Sequence, residues 1–206
     1  MKSLKSRFES WKQKTIWQKS GDIFFWALII LLIIPSTRKI IATGLNQAVL
    51  HVRKPVAESN EKQKYLTDED YLFMISDSTM KVNTLGDFRG DVIFLNIWAT
   101  WCPPCLAELP GIEKLYDEYG DKIRFLLVTN QTPEEVKPFI KEREIRAPVY
   151  YQRTRLTTSI ETSSIPTTFI ISKDGRIVAR YSGAMDWNSP QTKKMLDELI
   201  AQDVLR

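Results

Sequence analysis

The chain has 206 residues, 43% hydrophobic and 11% aromatic, enough for one globular domain with an appendage. Its net charge of +4 sits wholly in residues 1–22, where six cations face two acids, and residues 23–206 sum to zero. That distribution argues against a nucleic-acid partner for the domain. With two cysteines and a single remote histidine, His51, it also argues against a structural zinc site, which needs about four ligands.

Residues 1–22 form a basic head. Twelve apolar residues follow, Ile23 to Ile34, and uncharged residues continue to Thr37 before Arg38 and Lys39. The run is short for a span of about 20 residues. A cleaved signal peptide is the competing reading, with a small-x-small site at Ala42-Thr43-Gly44. That site lies behind two cations, however, and the head is long for a signal peptide. The run lacks the amphipathic spacing of a buried core helix. We therefore assign 23–45 as a transmembrane signal anchor, with Trp17 and Trp26 at the interfaces. Positive residues stay inside, so the rest of the chain is expected outside the cytoplasm. Residues 46–70 are polar and charge-mixed and read as a linker.

The domain is expected over 71–206. Leu72–Ile75 and Met80–Asn83 flank Asp77-Ser78 and predict a β-hairpin. Val92–Trp98 is apolar throughout, as in a central strand covered on both faces. A helix should run from about Pro104 to Tyr119, kinked at Pro110. Ile123–Thr129 is the next strand. Thr132 with Glu135 makes a capping box for a helix reaching about Arg143, bent at Pro138. A strand at Pro148–Tyr151 and a short helix at Leu156–Glu161 are expected next. Strands at Thr167–Ile171 and Arg176–Ser182 form a hairpin about Lys173-Asp174-Gly175, and Ser189–Gln202 is the closing helix. The alternation predicts a layered α/β domain.

The chemistry concentrates in Cys102-Pro103-Pro104-Cys105, between the apolar strand and the helix. A cysteine at a helix mouth meets unpaired N–H groups and the positive dipole end, which favour its thiolate. The second cysteine, one turn on, can close a disulfide onto the first. A bridge closing so short a loop adds little stability, so redox chemistry is favoured over a structural role. Cys102 is the expected nucleophile, partly exposed. Cys105 is the expected buried resolving thiol. Pro103 and Pro104 bring no N–H, so the Cys102 pKa should be lowered only moderately. That tilts the reading towards a reductant.

The segment Trp98-Ala99-Thr100-Trp101-Cys102-Pro103-Pro104-Cys105 resembles the active site of the thioredoxin superfamily. The longer string from Leu95 to Pro110 resembles the TlpA/ResA-like branch of membrane-anchored bacterial thiol-disulfide oxidoreductases. The resemblance covers roughly Tyr71 to Gln202. It implies a thioredoxin fold, a central mixed sheet flanked by helices, with an N-terminal hairpin and a central α/β insertion. It implies a cis bond before Pro166 beside the disulfide, with Ile165 backbone and Trp101, Pro103 and Pro104 meeting substrate. It implies that Glu108, three residues after Cys105, assists proton transfer. Thioredoxin itself uses an Asp in the preceding strand, where this chain has Asn96.

The expected activity is therefore a disulfide reductase at the bacterial cytoplasmic membrane, single-pass, facing the periplasm or cell exterior. It would need no cofactor and no metal. Its partners would be extracytoplasmic protein thiols, with apocytochrome c suggested by analogy, and a membrane dithiol donor. Two alternatives stay open at this point: an oxidase or isomerase on the same scaffold, and a non-catalytic tethered interaction module with a structural disulfide. Peroxidase chemistry fits less well, since it centres on one cysteine with a nearby threonine and an arginine.

Overall fold

The computed structural model describes residues 25–26 and 64–202. The basic head, nearly all of the expected span 23–45 and most of the linker lie outside them. Among the described residues no helix is long and apolar enough to cross a membrane.

The expected hairpin is β1 (Met74–Ser76) and β2 (Val82–Thr84), antiparallel with Ile75 opposite Asn83. The apolar run becomes β3 (Ile93–Ile97), all five residues buried. Helix α2 (Pro103–Tyr119) follows and runs unbroken through Pro110, which offers no N–H to the carbonyl four residues back. Next come β4 (Arg124–Thr129), α3 (Pro133–Arg143) and β5 (Val149–Gln152). The start of α3 is closed by Thr132 N–H donating to the Glu135 carboxylate at 2.8 Å. The chain ends with β6 (Thr167–Ile171), β7 (Ile177–Ser182) and α4 (Pro190–Ala201), whose cap Ser189 accepts from the Thr192 N–H.

The seven strands form one mixed sheet in the order β2-β1-β5-β4-β3-β6-β7. Strands β3, β4 and β5 are parallel neighbours, and β6 and β7 join antiparallel. This is a thioredoxin-like α/β fold. The register matters for the site. Ile97 at the end of β3 pairs with Thr167 at the start of β6. The loop leaving β3 and the loop entering β6 therefore emerge side by side at one edge of the sheet.

Alternation along β3 splits the core. Ile93, Leu95 and Ile97 join Leu126, Val128 and Phe169 on one face, under Phe73, Leu85 and Ile160. Phe94 and Trp98 face the other way, into Ile112 and Leu115 of α2 and Leu196 and Leu199 of α4. Asn96 shares this second, helix-covered face by the same period of two.

Two expectations need correction. The linker was expected to reach Asp70, but packed structure begins earlier. Leu66 is buried, its N–H donates to Gly175 O at 2.8 Å, and Tyr65 bridges Arg176. A short helix α1 (Asp68–Tyr71) follows, capped by Thr67, which shares reciprocal bonds with Asp70. A polar composition hid these contacts because, among the described residues 64–70, Leu66 is the one buried apolar side chain. Gly175 accommodates the approach: its φ is +84°, and a Cβ there would collide with the Tyr71 hydroxyl.

The helix expected at Leu156–Glu161 is instead an irregular segment with a turn over 158–160. Its threonines and serine compete for backbone bonds in non-helical conformations. The Ser159 N–H is taken by the buried Asp70 carboxylate at 3.3 Å, leaving it unavailable to a helix.

Candidate active site

Cys102 is the N-cap of α2, in extended conformation at φ −94° and ψ 102°. Pro103 and Pro104 fill the first two helical positions, so the first helical N–H belongs to Cys105. It donates to Cys102 Sγ at 3.3 Å. One donor therefore reaches the sulfur where an ordinary helix start would offer more. The two cysteines are joined by a disulfide, with Cα atoms 5.3 Å apart.

Cys102 was expected to be partly exposed, yet it is only 3% exposed and Cys105 1%. Bonding to Cys105 turns the Cys102 sulfur inwards, and both join the apolar cluster between sheet and α2. The exposed group beside the pair is the Trp101 indole, at 67%. Trp98 is buried and packs near Phe139, ring centroids 6.0 Å apart.

The loop before Cys102 is clamped by a residue that sequence reasoning passed over. Gln131, just beyond β4, accepts from the Thr100 N–H at 2.7 Å and donates to the Thr100 hydroxyl at 3.0 Å. Parallel pairing of β3 and β4 brings the two loops together. The residues lie 31 apart in sequence, and Gln131 belongs to no motif.

The Ile165–Pro166 peptide bond is cis. Pro166 is buried, its carbonyl accepts from the Gly183 N–H at 2.8 Å, and Ile165 is half-buried. A cleft of about 430 Å³ opens here, its walls including Trp101, Ile165, Leu156, Arg155 and Glu161. Two of the expected substrate-contacting residues, Trp101 and Ile165, thus share one cleft. Pro103 and Pro104 are at the helix start and do not line it.

Glu108 is 1% exposed. Its Oε1 accepts from Asn96 Nδ2 at 2.8 Å. Its Oε2 accepts from Trp187 Nε1 at 2.9 Å and from the Met185 N–H at 3.3 Å. Burial pushes the carboxyl up, the three donors pull it down, and the balance leaves its pKa raised to about 7. Trp187 and Met185 come from the loop before α4, nearly 80 residues away in sequence, so no local pattern could mark them. Among the described residues no cluster of His, Cys, Asp and Glu could hold a metal ion.

The redoxin family profile matches residues 74–200. The chain belongs to the redoxin family. Among its relatives, the thiol-disulfide oxidoreductase ResA of Bacillus cereus (strain ATCC 10987 / NRS 248) is 32% identical over 145 residues, covering 69% of this chain and 80% of that protein. The thioredoxin-like protein YneN of Bacillus subtilis (strain 168) is 30% identical over 125 residues, 59% of this chain and 70% of that one. Among solved structures, the exposed lipoprotein thioredoxin Etrx1 of Streptococcus pneumoniae strain TIGR4 is 28% identical, with a TM-score of 0.53, over 62% of this chain and 98% of that one. With a disulfide at a helix mouth and ResA-type relatives, this redoxin is a thiol-disulfide oxidoreductase.

Proposed function

We propose that this redoxin is a membrane-tethered reductase of disulfides in extracytoplasmic proteins, with Cys102 as nucleophile and Cys105 as resolving thiol. The carrying observation is the single N–H that reaches Cys102 Sγ, from Cys105, behind two prolines. Weak thiolate stabilisation makes the reduced form a ready electron donor rather than a favoured sink. The basic head and apolar run support a single-pass anchor over 23–45, with the catalytic domain outside the cytoplasmic membrane.

In the reaction, the Cys102 thiolate attacks one sulfur of the substrate disulfide. That S–S bond breaks, a mixed disulfide forms, and the second substrate sulfur leaves as a thiolate that takes up a proton. Cys105 then loses its proton to the Glu108 carboxylate, one helical turn away, and attacks Cys102 Sγ. The mixed disulfide breaks, the remaining substrate sulfur leaves and is protonated, and Cys102–Cys105 is oxidised. Two electrons have passed to the substrate, and a membrane dithiol donor restores them. Ile165 backbone beside Pro166, with Trp101 across the cleft, would hold the substrate chain. The paired cysteines of apocytochrome c are a substrate of the right chemistry.

Trapping tests the roles. A Cys105→Ser variant, reduced and offered a disulfide-containing peptide, should accumulate a mixed disulfide that dithiothreitol releases. Cys102→Ser should accumulate none. Equal trapping by both variants, or by neither, contradicts the assignment.

A further inference from the structure

Glu108 is ringed by donors. Asn96 Nδ2, Trp187 Nε1 and the Met185 N–H all point at its oxygens. The same Asn96 Nδ2 also donates to Thr168 Oγ1 at 2.8 Å. Asn96 Oδ1, by contrast, is buried and has no hydrogen-bond partner. Among the described residues no charged side chain bonds to this carboxyl. On its own helix lies Cys105, held in the disulfide; the loop that donates to it also carries Asp186, between Met185 and Trp187, and the Tyr181 ring meets Trp187 edge-on at 5.8 Å.

Such a ring suits a carboxylate and opposes a carboxylic acid. A proton on Glu108 Oε1 would face the N–H of Asn96, donor against donor. The same amide carries an idle acceptor, Oδ1. The oxygen and nitrogen of an amide have nearly the same shape, so a half-turn about the side chain exchanges them without repacking. Oδ1 would then accept from both the Glu108 O–H and the Thr168 O–H. No bond to Oδ1 holds the present orientation in place.

We propose that Asn96 is a positioning residue whose side-chain amide turns over with the protonation of Glu108, donating to the carboxylate and accepting from the acid. This rests on the reading that Glu108 takes the Cys105 proton. It gives that proton a bonded place to stay in the core. It also reverses the Thr168 hydroxyl, two residues beyond the cis Ile165–Pro166 bond, from acceptor to donor.

The test is nuclear magnetic resonance on the labelled, oxidised full chain in detergent micelles, from about pH 5 to about pH 9. The readouts are the Glu108 carboxyl carbon and the Asn96 side-chain amide protons with their contacts to the Thr168 side chain. We expect one shared midpoint, amide protons moving upfield on acidification, and loss of their contacts to Thr168 below the midpoint. In Glu108→Gln the Asn96 signals should stop titrating. In Asn96→Leu the Glu108 midpoint should rise, since the charge-assisted bond lost from the carboxylate is stronger than the neutral one lost from the acid. Amide contacts to Thr168 that persist on both sides of the Glu108 midpoint overturn the proposal, and this wild-type result decides even if Asn96→Leu does not fold. Resolution of mixed disulfides at the wild-type rate by Glu108→Gln would instead overturn the proton role of Glu108, leaving the amide reversal to the resonances.

Discussion

At the residue scale, Glu108 is where the fold gives up stability to hold a reactive group. Its ordinary pKa is 4.5 and its folded one about 7. Between those values the folded protein keeps a proton that the unfolded chain has released. The stability that Glu108 contributes is therefore full below about pH 4.5 and is lost as pH rises through 7, by about 3 kcal/mol in all. Glu108→Gln, measured in the oxidised state by urea unfolding, should lack this fall, so its advantage over wild type grows across the window. A difference that does not change with pH contradicts the assignment. Glu108 itself was marked only by the resemblance to the TlpA/ResA-like branch. Its three donors were not, because β3 and the loop before α4 supply them from 12 and nearly 80 residues away. The burial of Cys102 was equally illegible: a helix-mouth position gives the backbone environment, while exposure depends on which way the disulfide turns the sulfur.

At the element scale, apolar runs identified the strands well. β3, β4 and β6 are buried along nearly their whole length, and such runs need no partner to be recognised. The failures lie where a distant polar group decides the local structure. Asp70 is the main case. It is 1% exposed, and it ties α1 to the turn at Ser159 that leads into the cleft wall. Burial pushes its carboxyl up, but bonds from Ser159 and Thr67 outweigh that and hold its pKa near 2, against an ordinary 3.8. Its contribution is present above about pH 3.8 and is lost as pH falls through 2, about 2 kcal/mol in all. Asp70→Asn should therefore be less stable than wild type at pH 7 by roughly that amount, with the gap closing on acidification. Chemical denaturation of both proteins at neutral and acid pH checks it. A gap that persists at pH 2 would mean that Asp70 acts through shape rather than charge.

At the scale of the whole molecule, the α/β class followed from the alternation of patterns, and the thioredoxin fold from the residues around the Cys-Pro-Pro-Cys motif. The strand order did not follow from either. β5 lies between β1 and β4, and β6 returns beside β3, pairings that only long-range contacts specify. That order shapes the site: it sets the end of β3 beside the start of β6, so the loop that leads to Cys102 and the loop that carries the cis Ile165–Pro166 bond leave the same edge of the sheet. Gln131 then clamps the Cys102 loop from β4. The molecule is built to present one disulfide, with a single N–H on the Cys102 sulfur, near a cleft with an exposed tryptophan.

The reduction potential of the Cys102–Cys105 pair tests this most directly. Equilibration of the protein with glutathione or dithiothreitol buffers, followed by thiol alkylation, reads it. The account predicts a reversible two-electron transition near or below about −220 mV, as for a donor of electrons to substrate disulfides. A value near about −120 mV would contradict the reductant and indicate an oxidase, and no reversible transition would contradict a redox role for the pair altogether.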